Sequence, residues 1–280
     1  MVSRMAASYR SEDLTVHRFG RTEAAAPTLL LLHGITDSGR CWPDAVARWQ
    51  DDYRVLAWDA RGHGESERFA KGQLAAGVGE THLADLEEAI EALQADGVDR
   101  PILVGHSMGA GTAAALAGRR PDLVRAVVLE DPALGNDRYP EAERGKDARR
   151  RVAEARATMA NPRATKKQGK RDHPDWPKAE RGPWLEAKLM TDLAMLADPV
   201  ITVHTPWQEV TAAVSVPGLL VLGQRGIWTG DLRSSLLGVH NDRLEIEVVP
   251  GAGHCARRDR PDSFHQLVDP WVAKQFATNP

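Results

Sequence analysis

Five continuous apolar runs punctuate the chain. They are "TLLLL" ending before His33-Gly34, "VLAW" before Asp59, "ILVG" before His106, "AVVL" before Glu130 and "GLLVLG" ending at Gly223. Runs of this length without polar alternation predict strands buried on both faces, the habit of a parallel sheet. "DLTVHRFG" near the start and "RLEIEVVPG" near the end add two more strands. Between these runs the apolar spacing changes to a helical period. "WPDAVARWQ" predicts a short helix, and "THLADLEEAIEALQADG" a longer one with Thr81 as N-cap and Gly97 as its stop. Further helices are predicted at "MGAGTAAALAGRR", "PWQEVTAAV", "GDLRSSLLG" and "PDSFHQLVDPWVAKQFA". Strands that alternate with helices build parallel βαβ units.

One stretch breaks the alternation. From Ala133 to Pro206 charged residues, helix formers and prolines dominate, and no buried-strand run occurs. The expected organisation is therefore a core of residues 1–132 and 207–280, with 133–206 inserted as a helical cap. No internal repeat argues for two copies of one unit.

Composition narrows the function classes. The chain has 280 residues, 42% hydrophobic, with a net charge of -3. That is enough to bury a large core, and the charge gives no footprint for nucleic acid. Cys41 and Cys255 are the two cysteines. They read as free thiols, which fits a reducing compartment. "MVSRMAASYRSEDL" lacks the apolar segment of a secretory leader, and no run reaches the roughly 18 residues of a membrane helix. A cytoplasmic protein without membrane association is expected. No metal-ligand spacing and no dinucleotide fingerprint occurs, so no cofactor is expected.

The chemistry centres on "PILVGHSMGAG". Ser107 sits where a strand turns into a helix, between Gly105 and Gly109. In a parallel sheet this is a carboxyl end, where ligands bind. The turn exposes the hydroxyl, and the helix behind it offers free N–H groups to an oxyanion. A serine hydroxyl needs a general base. His254, in the glycine-rich loop "PGAGH" after the last strand, stands at another carboxyl end.

Taken together these segments resemble the α/β-hydrolase superfamily. "HGITDSG" resembles its His-Gly oxyanion loop, "DARGHGES" the segment after its fourth strand, "GHSMG" its nucleophile elbow and "GAGH" its histidine loop. The resemblance implies a mostly parallel eight-stranded sheet flanked by helices, with the insertion as a cap. It also implies a serine nucleophile, Ser107, a base, His254, and oxyanion donors from the amides of Ile35 and Met108. His33 would then brace the oxyanion loop, and Asp59, Arg61, His63 and Ser66 would hold a turn together.

The acid departs from the family pattern. Its usual slot, three residues after the glycine that ends strand seven, holds Gly226. Three candidates remain. Asp131, at the end of strand six, follows the serine by about two dozen residues, the placing seen in some relatives. Glu130 is one residue away and should face the other side of the strand. Asp231 lies five residues beyond the usual slot. The acid would hold the imidazole in one tautomer and stabilise the imidazolium.

The expected activity is hydrolysis of a carboxylic ester or lactone through an acyl-enzyme, on a small-molecule substrate. Carbon–carbon bond hydrolysis, acyl transfer including perhydrolysis, and a slow or non-catalytic ligand receptor stay open on the same constellation. Trp176, Trp184, Leu185 and Met190 of the insertion, with Leu189 between the last two, are the candidate pocket residues, and Trp42 and Trp228, near the mouth of the site, are secondary ones.

Overall fold

The run Thr28–Leu32 has every residue buried, as a strand covered on both faces must. It forms β3 of an eight-stranded sheet. The others are β1 Ala6–Arg10, β2 Thr15–Gly20, β4 Arg54–Asp59, β5 Ile102–His106, β6 Ala126–Glu130, β7 Gly218–Gly223 and β8 Leu244–Val249. Their order is β1-β2-β4-β3-β5-β6-β7-β8. β1 and β2 pair antiparallel, as do β2 and β4; every other pairing is parallel. The computed structural model describes residues 6–10, 13–23, 25–135, 137 and 140–278. Residues 1–5, on which part of the leader reading rests, lie outside these.

The period-2 geometry of strands sorts the core into two layers. Leu30, Leu32, Leu56 and Leu103 face one side, where helices Val78–Ala95 and Met108–Arg119 cover them. Leu29, Leu31, Val55, Val104 and Val221 face the other, beneath helices Pro43–Trp49 and Pro261–Ala277. Strands that read as continuous apolar runs are thus half committed to each layer.

Two local expectations are corrected. The long helix starts at Val78, and Thr81 lies inside it with its hydroxyl donating to the Gln73 carbonyl at 3.1 Å. The glycine at 77, with φ 101°, takes the N-cap place instead. Gly97, at φ 83°, does end the helix, with the Val98 amide bonded to the Leu93 carbonyl at 3.0 Å. β1 and the short helix Lys71–Ala76 were not anticipated.

Between residues 133 and 206 the described residues contain helices and no strand. Glu141–Ala160, Pro162–Asp172, Arg181–Leu189 and Leu193–Leu196 are its α-helices. Arg151 ties this region together. It pairs with Asp147 and donates to the carbonyls of Leu196 and Asp198.

Candidate active site

The corner after β5 is forced by close packing. A Cβ at position 105 would lie 2.5 Å from the Ala110 Cα, and one at 109 would collide with the Leu32 carbonyl. Two glycines therefore let strand and helix approach each other. Ser107 between them adopts φ 52° and ψ -111°, a strained conformation for a residue with a side chain. Its own backbone holds it there. The Ser107 amide donates to the Glu130 carbonyl at 3.0 Å, and its carbonyl accepts from Gly111 and Ala133.

Three side chains meet above this corner. The Ser107 hydroxyl is 3.0 Å from His254 Nε2, and His254 Nδ1 is 2.6 Å from Asp131 Oδ2. Asp131 Oδ2 also accepts from the Ile227 amide at 2.8 Å. An ionised carboxylate is an acceptor on both oxygens, so Nδ1 carries the proton and Nε2 is left to accept from serine. The carboxylate is fully buried, while the His254 side chain is 38% exposed and reachable by substrate.

The glycine at 226 is explained by the same carboxylate. A Cβ there would collide with both Asp131 carboxylate oxygens. The acid carried on the end of β6 occupies the space that an acid after β7 would need. Asp131 reaches it with φ 40°, another positive value for a non-glycine residue.

The two other candidate acids lie elsewhere. Glu130, one residue along, turns to the opposite side and is fully buried. Its carboxylate accepts from the Arg257 amide at 2.7 Å and the Arg257 guanidinium at 2.6 Å. Burial pushes the Glu130 carboxyl up, against the pull of Arg257. Asp231 is exposed in the first turn of helix Gly230–Leu237. Neither contacts the imidazole.

The two amides expected from the sequence to serve as oxyanion donors, those of Ile35 and Met108, lie beside the serine. Met108 opens its helix, so its N–H has no acceptor within it. Among the described residues neither the Met108 nor the Ile35 amide donates to any acceptor. The loop carrying Ile35 lies against the serine: a Cβ on Gly34 would sit 3.2 Å from the Ser107 Cβ. His33 braces this loop. Its Nε2 accepts from the Ala60 amide at 3.0 Å, which leaves Nδ1–H to donate to the Gly34 carbonyl at 2.9 Å. Burial pushes the His33 imidazole below its ordinary value, so it stays neutral in that tautomer.

A second histidine went unnoticed in the sequence. His106, inside the elbow motif itself, donates from Nε2 to the His254 carbonyl at 3.1 Å, with ring centroids 4.7 Å apart. Burial, and then the neighbouring Arg257, hold it well below the usual histidine value. The far side of the His254 loop is fixed by Asp259, which accepts from the Gly253 amide at 2.7 Å. The turn after β4 holds itself together. The Asp59 carboxylate takes the Gly39 and Glu65 amides and His17 Nε2, Ser66 donates to the Asp59 carbonyl, and Arg61 pairs with Asp85. His63 Nδ1 bonds back to the Arg61 carbonyl. None of Asp59, Arg61, His63 and Ser66 lines the cavity over the serine.

That cavity holds about 850 Å³ and is lined by Ser107, His254, Ile35, Ile227, Trp184 and Ile201 among others. Of the insertion residues singled out in the sequence, Trp184 lines it. Trp176, Leu185, Leu189 and Met190 do not. Trp176 is buried, stacks on His173 at 4.0 Å and donates to Asp259 at 2.7 Å, so it ties the helical region between 133 and 206 to the segment after β8. Met190 is exposed. Trp42 and Trp228 are buried and also stand apart from the cavity. Arg257 lies over the Trp42 ring, and the Trp228 indole donates to the Pro132 carbonyl.

A strand-end serine on a glycine-flanked elbow, met by a histidine and a carboxylate from two other strand ends, defines a class of α/β fold. The Alpha/beta hydrolase family profile matches residues 29–267, and the chain belongs to that family. It is similar to Lipase LipV of Mycobacterium tuberculosis, 37% identical over 126 residues, 45% of this chain and 44% of that protein. The match thus spans less than half the length of that relative. It is also similar to the sn-1-specific diacylglycerol lipase ABHD11 of Mus musculus, 26% identical over 265 residues, 90% of this chain and 82% of that protein. Among solved structures, a thermophilic esterase from Thermogutta terrifontis has the same fold. Its TM-score is 0.70 at 22% identity, covering 98% of this chain and 99% of that one. No helix among the described residues is long and apolar enough to cross a membrane.

Proposed function

We propose that the protein is a serine hydrolase that cleaves a carboxylic ester or lactone through an acyl-enzyme. The observation that carries this reading is the relay Ser107 Oγ, His254 Nε2, His254 Nδ1, Asp131 Oδ2, with steps of 3.0 and 2.6 Å. His254 takes the hydroxyl proton as Ser107 attacks the carbonyl carbon. The tetrahedral oxyanion falls to the Ile35 and Met108 amides, and His254 returns the proton to the leaving oxygen. Water then repeats the sequence on the acyl-serine. Asp131 keeps the tautomer and faces the imidazolium with a full charge. The two lipases to which the chain is similar support an ester as the bond attacked.

The cavity supports a substrate of small to medium size, since its volume lies within the range of ordinary ligand pockets. Lining by Trp184, Ile35, Ile201 and Ile227 supports an apolar portion near the reacting carbonyl. The test is turnover of a panel of 4-nitrophenyl esters and simple lactones by the wild type and by Ser107→Ala. Hydrolysis that vanishes in the variant agrees with the reading. A folded wild type inert towards every member, or turnover that survives in Ser107→Ala, overturns it.

A further inference from the structure

Resting on the ester-hydrolase reading, we infer that the substrate carries a carboxylate, and that Lys188 receives it. Lys188 lies near the end of the helix Arg181–Leu189 and lines the cavity beside Thr36, Ser107 and His254. Its Nζ donates to the Thr36 hydroxyl at 2.8 Å and stands 5.0 Å from the centroid of the Trp184 ring. Thr36 follows Ile35, so the ammonium is tethered one residue away from an oxyanion-hole amide.

Five of the other charged residues lining the cavity are already engaged in ion pairs. Arg150 holds Asp147 and Glu154, Arg151 holds Asp147, and Glu143 is met by Lys146. Among the described residues no carboxylate lies within ion-pair reach of the Lys188 ammonium. The acid that acts on it most strongly, Asp37, is instead bound to Arg258 at 3.0 Å, with Arg257 at 3.7 Å. Lys188 is half-buried, and that burial lowers its ammonium from its ordinary value while no carboxylate stands close enough to offset it. One neutral hydroxyl and a ring face are a thin shell for such a group. A substrate carboxylate would supply the missing charge and acceptors, and would set the ester carbonyl a short chain away, near Ile35.

A lysine that merely strapped Thr36 in place would affect every ester alike. The experiment therefore compares neutral and anionic esters of matching shape by pH-stat titration. Monomethyl succinate against methyl levulinate puts the carboxylate on the acyl side; acetoxyacetate against acetoxyacetamide puts it on the alcohol side. The wild type should prefer the anion in at least one pair, by roughly ten- to a hundredfold in kcat/KM, the worth of a charge-assisted hydrogen bond. Lys188→Met should cut that ratio at least tenfold, through KM, and Lys188→Arg should restore part of it. Absence of any preference, or a preference unchanged in Lys188→Met, overturns the inference. Calorimetric titration of succinate into Ser107→Ala protein separates this site from the hydrolase reading. Succinate should bind there and lose its binding in the Ser107→Ala, Lys188→Met double variant, even if no ester is cleaved; absence of binding, or binding that persists in the double variant, also overturns the inference.

Discussion

Asp131→Asn probes the least familiar part of the site. In the wild type one oxygen, Oδ2, accepts both His254 Nδ1–H at 2.6 Å and the Ile227 amide at 2.8 Å. Asparagine offers one acceptor oxygen and one NH2. If the NH2 faces the imidazole, it donates to Nδ1, moves the ring proton to Nε2 and blocks proton abstraction from Ser107. It also points a donor at the Ile227 amide. If the oxygen faces the imidazole, the tautomer survives, but the imidazolium formed during attack has lost its counter-charge in a buried setting. The same substitution in a triad of this geometry lowers turnover about ten-thousandfold, equivalent to roughly 5 kcal/mol of transition-state stabilisation. Steady-state hydrolysis of 4-nitrophenyl acetate reads the loss, with circular dichroism to confirm folding. Glu130→Gln is the control. It takes from buried Arg257 its nearer counter-charge, leaving only Asp37 at 3.7 Å, so it should lower the melting temperature, by a loss on the order of 3 kcal/mol, and spare most of the turnover of the folded fraction. The reasoning is refuted if folded Asp131→Asn keeps a tenth of wild-type turnover, or if Glu130→Gln suffers the greater catalytic loss.

Other expectations follow from the same geometry. Gly226→Ala drives a methyl into the Asp131 carboxylate, so kcat should fall at least tenfold, about 1.4 kcal/mol, while the fold persists by circular dichroism. Gly109→Ala presses on the Leu32 carbonyl under the elbow and should cost about 1–3 kcal/mol of stability in urea denaturation. Stability should also fall in acid. The buried imidazoles of His33, His63, His82 and His106 are all held below the ordinary value, chiefly by burial, His82 to about 4. The unfolded chain therefore binds protons that the folded one refuses. Stability from these groups is complete above about pH 6.5 and drains away as the pH falls towards 4. His82 alone is worth roughly 3 kcal/mol across that window. Urea midpoints at pH 7.5 and 4.5 measure it, and a midpoint that does not drop would contradict the burial argument.

The parts of the site that the sequence showed are those written in backbone. Gly105 and Gly109 announce a crowded strand-to-helix corner, and the glycines before His254 announce a loop at a strand end, because only glycine tolerates such approaches. The choice between Asp131 and Glu130 turned on strand alternation. Adjacent residues face opposite sides, and the burial of Glu130 against Arg257 fixes which is which. Lys188 and His106 were invisible for another reason. Lys188 reaches Thr36 across 152 positions, and His106 reaches the His254 carbonyl across 148. No local pattern encodes such partners. Trp176 misled because aromatic character alone does not say whether a ring seats a helix or lines a cavity. Thr81 misled because a good capping residue lay one turn inside a helix that a glycine had already begun.

The most direct test of the central claim is covalent. Treatment with a fluorophosphonate followed by intact-mass and peptide mass spectrometry should show one adduct per chain, on the peptide holding Ser107. The adduct should be absent in Ser107→Ala and form at least a hundredfold more slowly in His254→Ala, about 2.7 kcal/mol of lost activation. A folded protein that resists the reagent, or that takes it equally well with position 107 changed to alanine, would contradict the account.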